Sequence, residues 1–288
     1  MLRPQRFRTG CIYLSGAPLL VAHRGGAKLA PENTLIAFQR AVEWWGADML
    51  EMDVRLTRDG YVVVIHDATV DRTTDGIGSV EELTLDEIRR LDAGYHFKDL
   101  TGEHSFRGEG VTVPTFEEVL MALPHTRMNV EAKEPQVAGP LVELIERHSA
   151  EHRVLVAATF ERCRRKIKHY IGPWGASRQQ VFWFWLGHLL PWRNSYSLPA
   201  DVLQVPEIWK GLRVVSPRFI RQAHAQNIPV HVWTVDEPSD MRRLINWGVD
   251  AIQSDRPDLL ASVLTQIRSR PPELIGDNVG RREIWILV

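Results

Sequence analysis

The chain has 288 residues; at roughly 150 residues per domain that suggests two domains, although a (β/α)8 barrel spends about 250 on one. Hydrophobic residues make up 44% and charged residues 25%, a folded globular mixture that excludes a disordered or fibrous chain. Lys plus Arg number 35 against 36 Asp plus Glu, a formal net charge of −1, so the bulk balance offers no footing for nucleic acid or another polyanion. Two cysteines, Cys11 and Cys163, make no disulfide framework and point to a reducing, cytoplasmic setting. The basic start runs into an apolar stretch broken by Ser15, Gly16 and Pro18. No leader cleavage site fits there without cutting the first strand, so secretion is not expected. The apolar run 181–190 is about half the length that crosses a bilayer. The expectation is a soluble protein with at most peripheral membrane contact.

In chain order, short apolar strands alternate with amphipathic helices, the pattern of a parallel sheet with helical crossovers. Strands are predicted at 19–23, 48–53, 127–132, 153–159, 180–184, 201–205, 230–235 and 250–253. Helical periodicity fills gaps at 35–45, 136–148, 217–226 and 239–247. After the second strand, Asp59-Gly60 reads as a hairpin turn into a strand at 61–66. The Asp-, Thr- and Gly-rich stretch that follows is too long for a simple loop and reads as a small insertion near the site. The fold class predicted is α/β, a (β/α)8 TIM barrel over 17–268, with 67–114 inserted after the second strand and its hairpin. The tail 269–288 lies outside the barrel and has no assignment.

The residues suited to chemistry fall at strand ends. His23 closes the first strand, Glu51 and Asp53 the second, His66 the hairpin, and Glu131 and Lys133 the third. In a barrel of this kind catalytic groups converge at the C-terminal ends of strands. Glu51-x-Asp53 and Glu131-x-Lys133 each present two charged groups to one face, because strand side chains alternate. Three carboxylates aimed at one point need a cation among them, and hard oxygen ligands suit Mg2+ or Ca2+. Two histidines beside that cation serve as general acid and base, and Arg24 and Lys133 hold an anion. Together these groups describe phosphate-ester chemistry. Taken singly, each has a structural explanation: a strand-end histidine as a hydrogen bonder, Glu-x-Asp as a polar edge.

The same residues stand within a longer series: His23-Arg24-Gly25-Gly26, Pro31-Glu32-Asn33-Thr34, Glu51-x-Asp53-Val54, Thr57-x-Asp59-Gly60, His66-Asp67, Asp71-Arg72-Thr73-Thr74, Leu91-Asp92-Ala93-Gly94, Pro114-Thr115, Glu131-x-Lys133, Trp233-Thr234-Val235 and Asp255-x-Pro257. In that order they resemble the glycerophosphodiester phosphodiesterase family, over about residues 17–260. The resemblance implies a (β/α)8 barrel with an insertion after the second strand. It also implies hydrolysis of glycerophosphodiesters to glycerol 3-phosphate and an alcohol, with one divalent cation. By position it implies Glu51, Asp53 and Glu131 as metal ligands, His23 and His66 as acid and base, and Arg24 and Lys133 as phosphate contacts. Ala132 and Ser254 depart from the residues usual in the family, Ile or Leu and Thr, without removing a charged group. Lysophospholipase D-type and sphingomyelinase D-like activities are alternatives on the same scaffold, with an inactive barrel used for binding a further one. The insertion favours the glycerophosphodiester branch, and the intact charged set speaks against the inactive barrel.

Other features stay open between two readings. Trp233 either faces the rim and packs on the glycerol or is a buried core tryptophan with its N–H satisfied. The basic run 162–168 is a solvated helix face or an anionic-lipid patch. Phe182-Trp183-Phe184-Trp185 is core packing or an apolar rim for an acyl chain, the latter making lysophospholipids substrates beside water-soluble diesters.

Overall fold

The computed structural model describes residues 12–157, 161–189 and 197–268; the tail 269–288 and Cys11 lie outside them. β1 (Leu19–Ala22) leads to α1 (Leu35–Glu43), which Thr34 caps by accepting the Ala37 N–H. β2 (Met49–Leu56) turns through Asp59-Gly60 into the antiparallel β3 (Val62–Val64). A long segment carrying α2 (Leu85–Ile88) then returns beside β3, where Val64 N donates to Pro114 O at 2.9 Å. Its Val70, Val80, Leu85, Ile88 and Val113 pack with Val63 and Ile65 into a small core of their own. Next come α3 (Phe116–Ala122), β4 (Arg127–Ala132), α4 (Pro135–Arg147), β5 (Val154–Ala157), α5 (Glu161–Lys166) and α6 (Arg178–Leu189). β6 (Leu203–Pro206) precedes a two-stranded hairpin, β7 (Ile208–Trp209) and β8 (Leu212–Arg213). The chain continues with α7 (Pro217–His224), β9 (Val230–Trp233), α8 (Pro238–Trp247), β10 (Ala251–Ser254) and α9 (Pro257–Arg268).

The parallel strands run in the order β5-β4-β2-β1-β10-β9-β6. Residues 174–175 join the two ends: Trp174 pairs in parallel with Val156 of β5, and Gly175 with Val202 ahead of β6. These bridges close an eight-station (β/α)8 barrel. The fifth station is therefore Trp174-Gly175, and the strand expected at 180–184 is instead part of helix α6. The cause is a capping box. Gln180 N donates to Ser177 Oγ at 3.3 Å, and Ser177 N donates to Gln180 Oε1 at 3.0 Å. With its first turn fixed, the aromatic run continues as helix. Phe184 is buried against Phe219 with ring centroids 5.1 Å apart, whereas Phe182 and Trp183 are exposed.

The basic run is not a uniformly solvated face either. Arg164 is buried, donates to Gly175 O at 3.1 Å and Pro199 O at 3.0 Å, and lies over the Trp174 ring. Its guanidinium satisfies carbonyls around a station too short to satisfy them by strand pairing alone.

Alternation sorts the strand residues. Leu20, Ala22, Leu50, Met52, Val54, Met128, Val130, Val154, Val156, Leu203, Val205, Val230 and Val232 pack outward under the helices. Leu19, Val21, Met49, Leu155, Val202 and Ala251 form a second apolar cluster inside the barrel, with Tyr13 beneath them. Tyr13 Oη donates to Met128 O at 2.8 Å and stoppers the N-terminal mouth. Above this plug the inward positions turn polar, with Glu51, Asp53, Asn129, Glu131, His231 and Gln253. A floor of apolar side chains thus carries a charged upper storey. Among the described residues, no helix is long and apolar enough to cross a membrane.

Candidate active site

Parallel register sets the acidic groups side by side. Asp53 of β2 pairs with Glu131 of β4, and Glu51 with Asn129. One carboxylate oxygen from each of Glu51, Asp53 and Glu131 lies within 4.8 Å of the others. Glu51 and Asp53 are buried, and the two titrate in opposite directions. Burial and the nearby Asp53 charge push the Glu51 carboxyl up to about 7. Burial works against Asp53 as well, but Lys133 and Arg24 outweigh it and hold its carboxyl below the ordinary range. Lys133 Nζ reaches both Asp53 Oδ1 at 3.2 Å and Glu131 Oε2 at 3.3 Å. Three hard-oxygen donors, two of them buried and one held well above the ordinary carboxylate range by burial and a neighbouring charge, fit a divalent cation.

Directly after β1 the chain makes a single tight turn, His23–Gly25. Arg24 sits there in the left-handed region at φ 50°, and its N–H donates to Glu51 Oε2 at 3.0 Å. Gly25 and Gly26 also have positive φ; a Cβ on Gly25 would stand 2.7 Å from the Ala37 Cβ, so only glycine lets the turn seat on α1. The Arg24 side chain lies between Glu32 (Nη1 to Oε1, 3.0 Å) and Asp53 (Nε to Oδ2, 3.2 Å).

Two histidines flank this cluster in matching postures. His23 Nδ1 is 2.6 Å from Asp255 Oδ1, and its Nε2 is 3.8 Å from Glu51 Oε2. Burial disfavours a charge on His23, but Glu51 and Asp255 prevail and raise it to about 9. His66 Nδ1 is 2.6 Å from Asp67 Oδ1. In each ring Nδ1 is engaged by an aspartate, which leaves Nε2 as the nitrogen available for proton transfer. Trp233 stands at the end of β9, exposed on the same rim, and is not a core tryptophan.

The model of the glycerophosphoryl diester phosphodiesterase family matches residues 23–259. The chain belongs to that family. It is thereby a phosphoric diester hydrolase. It is 36% identical to a glycerophosphodiester phosphodiesterase of Caldanaerobacter subterraneus, over 85% of this chain and 97% of that one. With a probable glycerophosphodiester phosphodiesterase of Mycobacterium tuberculosis it shares 34% identity, over 86% of this chain and 91% of the relative. Among solved structures, a phosphodiesterase from Oleispira antarctica in complex with the product sn-glycerol 3-phosphate superposes with a TM-score of 0.71 at 25% identity, covering 86% of this chain and 97% of that one.

The charged cluster contains supporting residues that strand-end reasoning passed over. Asn33 is buried, donates to Asp53 Oδ2 at 3.2 Å and accepts from Asp53 N at 3.3 Å. Glu32 contacts Arg24, Asp67 contacts His66 and Asp255 contacts His23, while Arg72 bonds both Glu32 and Asp67. Asp236 in turn fixes Asp255, accepting its N–H at 2.8 Å and the Ser254 hydroxyl at 2.9 Å. The motif series contained most of these residues, but loop positions give no periodicity from which a partner could be read.

Proposed function

We propose that this phosphodiesterase hydrolyses glycerophosphodiesters to glycerol 3-phosphate and an alcohol, using one divalent cation, Mg2+ or Ca2+, and His23 and His66 as general acid and base. The observation that carries this reading is the convergence of Glu51, Asp53 and Glu131 between two aspartate-held imidazoles. The three carboxylates would hold the cation, which when bound neutralises charge developing on a non-bridging phosphate oxygen. Arg24 offers a guanidinium fork and Lys133 an ammonium to the phosphate. One imidazole takes a proton at Nε2 from the attacking oxygen, either of water, which gives glycerol 3-phosphate directly, or of the substrate's neighbouring hydroxyl, which gives a cyclic phosphate that a water then opens to glycerol 3-phosphate, breaking the new ring P–O bond with the two imidazoles in reversed roles. The other gives its Nε2 proton to the departing alkoxide, so the pair returns to its starting state once proton exchange with solvent is complete. The Trp233 ring face packs on the glycerol. The test is release of glycerol 3-phosphate from glycerophosphocholine with Mg2+, Ca2+ or EDTA, for the wild type and for Glu51→Gln and Asp53→Asn. Undiminished release in EDTA, or by both variants, removes the reading.

A second observation favours acylated substrates beside the water-soluble ones. The β7–β8 hairpin rises directly from the C-terminal end of β6, where Pro206 pairs with Trp233. Ile208, Trp209 and Leu212 on it are exposed, which supports contact between the rim and the acyl chain of a lysophospholipid at a membrane surface.

A further inference from the structure

Arg72 belongs to none of the strand ends, yet its side chain joins two halves of the site. Nη1 and Nη2 donate to the two oxygens of Glu32 at 2.8 and 2.7 Å, and Nε donates to Asp67 Oδ2 at 2.5 Å. Each of those carboxylates holds a second group. Glu32 Oε1 accepts from Arg24 Nη1 at 3.0 Å, and Asp67 Oδ1 lies 2.6 Å from His66 Nδ1. An unbroken chain of charge-assisted hydrogen bonds therefore runs His66–Asp67–Arg72–Glu32–Arg24. It connects the loop after β3 with the loop after β1, through a residue near the start of the 67–114 segment.

The turn that presents Arg72 is braced independently of these bonds. Thr74 Oγ1 donates to Val70 O at 2.9 Å, Gly76 N to Thr74 Oγ1 at 3.1 Å, and Gly78 N to Asp71 Oδ1 at 3.0 Å. Val70 itself is anchored in the small apolar core. The Arg72 side chain is 49% exposed, and ion pairs that far out add little to stability. Three donors engaged at once demand a planar fork, which Lys does not have. Such a network does more for orientation than for folding.

We propose that Arg72 is a positioning residue for the phosphodiester reaction, setting the His66 ring through Asp67 and the Arg24 guanidinium through Glu32. The proposal rests on the reading of His66 as an acid–base group and Arg24 as a phosphate contact. Its test is a set of kcat and KM measurements on glycerophosphocholine with cation present, together with melting midpoints. The variants are Arg72→Met, Arg72→Lys, Asp67→Asn, Glu32→Gln, the two double variants with Arg72→Met, and His66→Ala as reference.

Arg72→Met is expected to lower kcat/KM about 10–100-fold, the size of losses from supporting contacts, while the melting midpoint moves by no more than about 2 °C. Arg72→Lys recovers only part of this. In Asp67→Asn/Arg72→Met the kcat loss does not exceed that of the worse single variant, and in Glu32→Gln/Arg72→Met the same holds for KM, because each pair acts as one unit. Wild-type kcat and KM in Arg72→Met, or losses that multiply in both double variants, overturn the proposal while a dead His66→Ala leaves the site reading intact. Wild-type turnover by His66→Ala overturns the site reading, and the proposal with it.

Discussion

His23 and Asp255 are 232 positions apart in the chain, and their side chains meet at 2.6 Å. β1 pairs directly with β10 in the closed barrel, so the histidine that directly follows the first strand is gripped from the end of the last. Asp255 is itself fixed through its N–H on Asp236, whose other oxygen pairs with Lys28 Nζ at 2.9 Å. Barrel closure and the posture of the His23 ring are thus one structural event.

Asp255→Asn removes the charge that holds Nδ1 while keeping the side chain's shape. It is expected to lower kcat about 10–100-fold with KM little changed, since among the described residues the Asp255 carboxylate meets the His23 ring and not the acidic cluster or Arg24. Steady-state kinetics on glycerophosphocholine decide this; wild-type kcat in Asp255→Asn makes the contact ornamental.

His23→Ala and His66→Ala are each expected to cut kcat by about 10²–10⁴, the range of general acid–base catalysis. Circular dichroism should show both variants folded, because neither imidazole lies in an apolar cluster. If both turned over normally, proton transfer would have to be assigned elsewhere.

Cation binding should also register in stability. A ligand that binds only the folded chain adds about 2.7 kcal/mol at a hundred times its Kd, so Mg2+ or Ca2+ is expected to raise the wild-type melting midpoint. Asp53→Asn should lose most of that increment, as the buried carboxylate between Lys133 and Arg24 is removed. Equal increments in both proteins would put the cation elsewhere.

The strand ends were legible because a period of two and a strand boundary suffice to aim Glu51, Asp53, Glu131 and Lys133 at one rim. The fifth station was not. Trp174-Gly175 is two residues long and carries no periodicity, while the apolar run after it imitated a buried strand. Ser177-x-x-Gln180 was the local signal against that strand, a capping pair hidden by the hydrophobicity next to it. The roles of Glu32, Asn33, Asp67, Arg72 and Asp255 were illegible for another reason. Each acts through a partner on another loop, and such pairs exist only after the barrel has closed. Arg164 shows the same limit, since nothing in a basic run distinguishes the one guanidinium that turns inward.

Acid should weaken the fold through His231. It points inward from β9, is fully buried, and neither ring nitrogen has a hydrogen-bond partner among the described residues. Burial pushes it down to about 4. The unfolded chain, with an ordinary histidine near 6.5, binds the proton first as pH falls. Stability present above about 6.5 is therefore lost between about 6.5 and 4, at up to about 1.4 kcal/mol per pH unit. Urea midpoints at pH 7 and pH 5 should fall less in His231→Asn than in the wild type. Parallel declines would acquit His231 and move the acid sensitivity to other groups.

Substrate choice tests the rim. Ile208, Trp209 and Leu212 are exposed on the β7–β8 hairpin beside Trp233, and Phe182 and Trp183 are exposed on α6. Each methylene buried against such a surface contributes about 0.8 kcal/mol, so two or three contacted carbons shift preference by roughly tenfold or more. Lysophosphatidylcholine below its micellar concentration is accordingly expected to match or exceed glycerophosphocholine in kcat/KM. Trp209→Ser with Ile208→Ser should reduce the value for the lysolipid about tenfold or more on that arithmetic, while glycerophosphocholine stays within about twofold, because the hairpin stands outside the charged cluster. A strong wild-type preference for the deacylated compound, or equal losses on both substrates, excludes acyl contact there and leaves the phosphodiesterase chemistry standing on its own residues.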